Sequence, residues 1–122
     1  MKIPRIYADE YGHSYFDEAE LVQTGDPKRR IQAVSQPVEY WQMRQMQPGY
    51  FVDFKANEKP QFIAMTSGRM VLTVSNGEQR YFARGDMLLL QDVAGQGHSM
   101  RIVGHEPCTM LVVTLPGEGN FK

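Results

Sequence analysis

The sequence predicts an all-β domain, built as a sandwich or a small barrel. Short runs rich in Val, Ile, Tyr, Phe, Thr and Met are separated by Gly, Pro, Asn and Asp, a texture typical of short strands and tight turns. Asn76-Gly77 lies between two runs of alternating polarity, which is a strong hairpin signal. The only stretch with helical character, DEAELVQ, is short, so it is assigned to a turn or a strand.

Nine strands are predicted from the alternation and the turn residues. They cover residues 20–24, 38–46, 50–54, 61–66, 69–75, 78–83, 87–90, 99–103 and 109–115. The run MLLLQ is apolar enough to be a strand that is buried on both faces. Closing so many short strands into a barrel would also remove exposed sheet edges.

The run at residues 38–46 has two distinct faces, because side chains alternate along a strand. One face carries Tyr40, Gln42, Arg44 and Met46, and the other carries Trp41, Met43 and Gln45. One of these faces is expected to line the barrel, and the other to meet a second sheet or a subunit. The eight methionines of the chain suggest an adaptable apolar lining, and Met43 is assigned to the ligand-binding set.

Composition limits the class of protein. The chain has 122 residues, the size of one domain, with a net charge of -1 and a pI near 6.3. This balance argues against nucleic-acid binding, which favours a basic face. The single cysteine, Cys108, lies in an apolar run and is expected to be a buried, inert thiol. No apolar run has the length of a signal-peptide core or a membrane span, so a cytoplasmic protein without a membrane partner is expected.

A spacing motif runs from Gly49 to Gly68. Five residues separate Gly49 from Lys55, one separates Lys55 from Asn57, three separate Asn57 from Gln61, and six separate Gln61 from Gly68. This stretch resembles the first motif of the cupin superfamily, in which His, His and Glu stand at the places of Lys55, Asn57 and Gln61. The spacing is kept, and all three ligand types are replaced.

A second stretch resembles the second cupin motif. Gly85 opens GDMLLLQDVAGQGH, Gln91 stands where Pro is usual, and His98 takes the place of the ligand His. The chain is also similar to short single-domain bacterial cupins through its Tyr-Ala-Asp start and through QFIAMTSG, RYFARGDMLLLQD and GQGHSMR. The resemblance implies one jelly-roll barrel, the cupin double-stranded β-helix. It also implies a homodimer formed by packing sheets or exchanging an N-terminal strand.

The resemblance divides the chain into three parts. Residues 1–36 supply N-terminal strands and a loop to the barrel or the dimer, residues 37–116 form the barrel, and residues 117–122 form a tail. It also implies that the four motif positions point into the barrel. The sequence therefore predicts a polar pocket whose ligand-binding residues are Lys55, Asn57, Gln61, His98, Asp92 and Met43.

The residues at the motif positions argue against a tightly bound metal. Fe, Mn, Ni or Zn needs three or four converging His or carboxylate donors. Asn57 and Gln61 offer neutral carbonyl oxygens, and the ammonium of Lys55 would repel a divalent cation. No metal ligand or cofactor is therefore assigned. Any ion would be Fe, Mn, Ni or Zn held weakly through His98.

Three functions remain open on sequence alone, and whether the protein is an enzyme stays undecided. The first is binding of a small carboxylate- or carbonyl-bearing molecule beside Lys55. The second is a metal-free isomerase, lyase or cyclase, with His98 as general acid or base. Lys55, with its pKa lowered by burial, would then either stabilise an oxyanion or form a Schiff base with a carbonyl. The third is a metal-dependent oxygenase or isomerase. A purely structural alternative is that these polar groups only form hydrogen bonds with one another, with water, or with Asp53 or Asp92.

Overall fold

The computed structural model describes residues 1–117, which form twelve β-strands in three sheets. The predicted tail at residues 117–122 lies outside this part of the chain, except for Gly117. The described residues contain no helix, and hence none that could cross a lipid bilayer. The strands are β1 Lys2–Ala8, β2 Ser14–Glu20, β3 Thr24–Asp26, β4 Ile31–Ala33, β5 Tyr40–Met46, β6 Phe51–Lys55, β7 Gln61–Ser67, β8 Arg69–Thr73, β9 Gln79–Ala83, β10 Met87–Gln91, β11 His98–Val103 and β12 Cys108–Thr114.

Two of the sheets form the body of the molecule. The larger has six strands in the order β2-β1-β10-β7-β12-β5, and the smaller has four in the order β6-β11-β8-β9. β1 pairs with β10 in parallel, and the other pairings in the described chain are antiparallel. This is the expected all-β jelly roll.

The main core lies between the two sheets, because each sheet turns one apolar face inward. Leu88 and Val112 come from the larger sheet, and Leu72 and Ile102 come from the smaller one. Four methionines join them, which agrees with a core whose gaps are filled by flexible side chains: Met46, Met65, Met70 and Met110. Cys108 is fully buried in the same cluster, and burial raises the pKa of its thiol, so it is inert as predicted.

The N-terminal strands differ from the sequence prediction. The strand expected at residues 20–24 is wrong, since β2 ends at Glu20 and β3 starts at Thr24. β1 was not among the nine predicted strands, and β2 was expected only in part, since DEAELVQ, assigned to a turn or a strand, begins inside it. Seven consecutive residue pairs hold β1 against β2, and β1 in turn joins the distant β10. Pairing of remote segments thus overrides the weak helical preference of the local sequence.

The hairpin at Asn76-Gly77 is confirmed, but its loop is longer than a two-residue turn. Val74 accepts a hydrogen bond from the N–H of Gly77 at 2.9 Å and donates one to the carbonyl of Glu78 at 3.0 Å. Three residues therefore form the loop, and Gly77 alone among them has positive φ, at 90°. A turn followed by one left-handed glycine is a common three-residue hairpin connection. The Asn76 side chain accepts from the N–H of Glu78 instead of supplying a second positive φ.

Candidate ligand-binding site

A cavity of about 500 Å³ opens between the two large sheets. This volume is within the usual range for small-molecule sites. Its wall combines apolar core residues with charged and amide side chains. The lining residues are Glu39, Tyr40, Arg44, Tyr50, Val52, Lys55, Ala56, Asn57, Glu58, Lys59, Gln61, Ile63, Leu90, His98, Met100, Met110 and Thr114.

Two cross-strand rows of polar side chains face each other across this cavity. On the larger sheet, Tyr40, Thr114 and Gln61 lie directly opposite one another across β5, β12 and β7. On the smaller sheet, Lys55 of β6 lies opposite His98 of β11. Directly opposite residues of antiparallel strands project from the same face, so each row presents its side chains together.

The four motif positions therefore meet in one place. Lys55, Asn57, Gln61 and His98 all line the cavity. Lys55 is the last residue of β6 and is exposed, Asn57 lies in the following loop, and Gln61 opens β7. Since the loop returns the chain to the opposite sheet within a few residues, a short sequence motif supplies both walls of the cavity.

His98 is fixed in orientation by Asp92. Asp92 is fully buried and does not line the cavity, whereas His98 is 9% exposed and does. The Nδ1 atom of His98 and the Oδ2 atom of Asp92 are 2.5 Å apart. With Nδ1–H donating to the carboxylate, Nε2 is left without a hydrogen-bond partner among residues 1–117. Asp92, which the sequence assigned to the ligand-binding set, therefore lies behind His98 and orients it instead of lining the cavity.

Gly97 allows β6 and β11 to approach closely where Lys55 lies opposite His98. Gly97 has φ of 69°, and a Cβ atom there would lie 2.0 Å from the carbonyl oxygen of Lys55. Its own carbonyl accepts a hydrogen bond from the Ser14 hydroxyl at 2.6 Å. Only glycine fits both the backbone angle and the space, so Gly97 sets where His98 enters the cavity.

Several polar atoms at the cavity have no partner in the described chain. The Oγ1 of Thr114, which is 3% exposed, and the Nδ2 of Asn57 are buried without a hydrogen bond. The side chains of Lys55 and Gln61 likewise make none with residues 1–117. The four motif side chains make no hydrogen bond to one another in the described chain, whereas His98 does bond Asp92, one of the partners expected for a purely structural role. Unpaired buried groups cost free energy, which a polar ligand or water would recover.

The fixed charges of the wall are mostly positive. The ammonium of Lys59 lies 2.5 and 2.6 Å from the two carboxylate oxygens of Glu39, so that pair is neutral overall. Arg44 and Lys55 have no carboxylate within ion-pair distance in the described residues. The remaining acid of the lining is Glu58. The cavity therefore favours an anion.

Sequence reasoning missed Arg44 and Thr114 as cavity residues. Alternation placed Arg44 on one face with Tyr40, but it gave no means to decide which face points inward. Burial of Met46 on that same face resolves the question. Thr114 lies in an apolar run, where a threonine gives no signal of its own until its cross-strand neighbours Tyr40 and Gln61 are known.

The assignment of Met43 to the binding site is wrong. Met43 lies on the face of β5 opposite to Arg44, is 53% exposed, and does not line the cavity. Met100 and Met110 line the cavity instead. The expectation of a methionine in the lining holds, but at different positions, because the inward face of β5 is the one that carries Arg44.

The donor set does not fit a metal ion of the kind that cupins hold. Within residues 1–117 no group of three or more His, Cys, Asp or Glu side chains converges on one point. His98 retains the carboxylate partner that metal-ligating histidines usually have. Its neighbours at the other motif positions are an ammonium and two amides, which cannot complete a coordination sphere. The chemistry available here is that of the side chains themselves.

Sequence comparison with protein families and with functionally curated proteins finds no match. No protein-family model matches the chain, and no functionally curated protein is significantly similar to it. The cavity must therefore be interpreted from its own residues.

Comparison by structure identifies the fold. A sugar phosphate isomerase of the cupin superfamily from Silicibacter pomeroyi is 20% identical, with a TM-score of 0.51 over 96% of this chain and 71% of that chain. A predicted oxalate decarboxylase from Thermotoga maritima is 16% identical, with a TM-score of 0.50 over 93% and 92%. A conserved Streptococcus pyogenes protein of unknown function is 21% identical, with a TM-score of 0.51 over 69% and 70%. At such identities the likeness establishes the fold alone, and that fold is the cupin barrel.

Proposed function

We propose that the protein binds a small carboxylate- or carbonyl-bearing molecule in the cavity, without a tightly bound metal. The observation that carries the proposal is the pair of unneutralised cations, Lys55 and Arg44, in a wall that also holds the unpartnered Thr114 hydroxyl. Charge-assisted hydrogen bonds from such groups are the strongest that a side chain offers to a carboxylate. The apolar part of the wall would take the body of the ligand.

Replacement of Lys55 by glutamine is expected to weaken carboxylate binding about tenfold or more, because one charge-assisted hydrogen bond is lost. Calorimetry with a panel of small carboxylates and carbonyl compounds measures this on protein purified without chelators or a metal-affinity tag. Lys28→Gln removes the same charge from the exposed loop between β3 and β4 and should leave affinity unchanged. Absence of binding at millimolar concentrations, or stoichiometric metal that His98→Ala releases, would contradict the proposal.

A second candidate function is proton transfer to or from the bound molecule. It is favoured by the His98–Asp92 pair, which holds Nδ1 protonated and leaves Nε2 for the cavity side. In this scheme Nε2 takes a proton next to a carbonyl group, and Lys55 stabilises the resulting enolate oxygen. The burial expected for Lys55 is absent, since its side chain is exposed, so in this scheme Lys55 acts through its charge and not as a Schiff-base nucleophile.

Proton transfer would appear as deuterium exchange next to the carbonyl group of a bound compound, followed by NMR in D₂O. His98→Gln is expected to reduce the exchange rate about a hundredfold or more, within the range for general acid–base groups. His105→Gln, at an exposed histidine outside the cavity, is the matched control. If compounds bind to the wild-type protein without any exchange, the function is binding alone.

The proposed macromolecular partner is a second copy of the chain. The outer face of the larger sheet carries three exposed apolar side chains, Trp41, Met43 and Met87, beside a second apolar cluster in which Leu89 is fully buried. Trp41 is 64% exposed. The β3–β4 hairpin pairs only with itself in the described chain, and all six of its strand residues are exposed. An isolated hairpin is marginally stable in water, so packing against a partner would stabilise it.

Sedimentation equilibrium should show a dimer that Met43→Glu weakens about tenfold or more, because a charge would be buried in an apolar contact. Tyr81→Glu is the control, since Tyr81 is also exposed, at 64% against 53% for Met43, but lies on the smaller sheet. A monomer at every concentration would remove this part of the proposal.

A further inference from the structure

We infer that the ligand carries two acidic groups, one held by Arg44 and the other by Lys55. The inference rests on the proposed binding function and specifies the class of molecule. It follows from how the two cations are positioned, from what neutralises them within the chain, and from the polar atoms that lie between the two walls.

Arg44 is a positioned and incompletely used hydrogen-bond donor. Its Nε and Nη2 atoms donate to the Oε1 of Gln42 at 2.9 and 2.5 Å. A guanidinium has five N–H groups, so the remaining ones stay available. Gln42 comes from the same face of β5, two residues away, and it fixes the orientation of the planar group without cancelling its charge. An oriented fork of this kind matches a carboxylate or a phosphate.

Lys55 approaches from the other wall. Arg44 belongs to β5 at the edge of the larger sheet, whereas Lys55 belongs to β6 at the edge of the smaller one. Both line the same cavity. A single acidic group bound at one of them would leave the other cation uncompensated beside it. A molecule with an acidic group at each end would satisfy both.

The chain does not neutralise these cations itself. Glu39 is engaged with Lys59, which leaves Glu58 as the remaining acid of the described lining. Glu58 is exposed in the loop after β6, where solvent screens its charge. The lining therefore has a net charge of +1, and neither Arg44 nor Lys55 has an acidic partner of its own in the described chain.

The same wall is suited to a polar middle part of the ligand. Thr114 and Asn57 present unpartnered buried atoms in the lining, and Gln61 adds an amide without a hydrogen bond to residues 1–117. A hydroxyl or carbonyl group between the two acidic ends would supply the missing hydrogen bonds. The acidic ends could be two carboxylates, or one carboxylate and one phosphate, because both have the same recognition chemistry.

The test compares diacids with their own monoamides. Linear dicarboxylates from malonate to adipate, each matched with its monoamide, are titrated by calorimetry into the wild-type protein and into Arg44→Gln. 3-Phosphonopropionate is included to distinguish a phosphate-like end from a second carboxylate. We expect the best diacid to bind about tenfold or more tightly than its monoamide in the wild-type protein. In Arg44→Gln the preference for the diacid over its monoamide should disappear, because the second acidic group loses its charged partner.

Controls separate local from general effects. Arg29→Gln removes the same charge from the exposed turn between β3 and β4 and should keep the preference for the diacid. Should Arg44→Gln fail to fold, Arg44→Lys keeps the charge and removes the fork, and the wild-type comparison stands by itself. Equal affinity for diacid and monoamide in the wild-type protein would overturn the inference but leave the binding function intact. No binding of any acid would defeat both.

Discussion

Replacing Gly97 with alanine is expected to destabilise the protein by about 2–5 kcal/mol, the largest effect expected of any single methyl group added here. The backbone at Gly97 has φ of 69°, where an L residue is strained by about 1–2 kcal/mol. The added Cβ would also lie 2.0 Å from the Lys55 carbonyl oxygen and 2.3 Å from the Ala56 nitrogen. These are backbone atoms, so the two strands must separate to relieve the overlap. Urea unfolding followed by circular dichroism measures the loss.

Gly77→Ala provides the matched control for that experiment. Gly77 has φ of 90°, and no atom lies within 4 Å of the position that its added methyl group would take, so this substitution isolates the backbone strain. We expect it to cost about 1–2 kcal/mol. The additional loss of unfolding free energy in Gly97→Ala, relative to Gly77→Ala, then measures how closely β6 and β11 approach each other. Equal losses in the two variants would show that this approach is not tight, and that Gly97 does not set the position of His98.

The second large effect is the gain of a metal centre. The combined variant Lys55→His, Asn57→His and Gln61→Glu is expected to bind a divalent transition metal tightly, because three donors would join His98 at one cavity. His98 already has its Nδ1 bonded to Asp92, which leaves Nε2 for the ion. At a hundredfold excess of free metal over Kd, binding adds about 2.7 kcal/mol of stability. The wild-type protein should show no saturable stabilisation.

Thermal unfolding with Fe(II), Mn, Ni and Zn, alongside elemental analysis, measures this gain. Adding His98→Ala to the combined variant should abolish it, and a chelator should reverse it. A combined variant that stays metal-free would show that the four side chains do not converge as the cavity lining suggests. Tight metal binding by the wild-type protein would instead show that the amides and the ammonium do not prevent coordination.

The sequence carries most of the information about the eight strands from β5 onward. Their alternation and their turn residues are local features, so they can be recognised without knowing the partner strands. The N-terminal strands are different. Pro4 and the acidic run of β2 weaken any local strand signal, and the parallel pairing of β1 with β10 joins residues more than eighty positions apart. Such a contact leaves no trace in a local pattern.

The candidate site, too, could be predicted only in part from the sequence. The resemblance to the cupin motifs implied that Lys55, Asn57, Gln61 and His98 share one pocket, and all four line the cavity. It could not show that Asp92 bonds His98, nor that Lys55 is exposed, since both depend on how loops from separate strands pack. Met43 was misassigned for a related reason. A strand pattern distinguishes two faces but does not show which one the rest of the chain will cover.

By itself, then, the sequence determined an all-β chain, most of its strands, and the clustering of four replaced motif residues. The strands follow from side-chain alternation and turn chemistry, which are local properties, whereas the clustering is what the resemblance to the cupin motifs implies. Only the tertiary structure decided that Arg44 and Thr114 belong to the cavity and that, among the described residues, no acid neutralises Arg44 or Lys55. Those facts depend on which strands become neighbours and which face they turn inward, and burial of the whole core settles both at once.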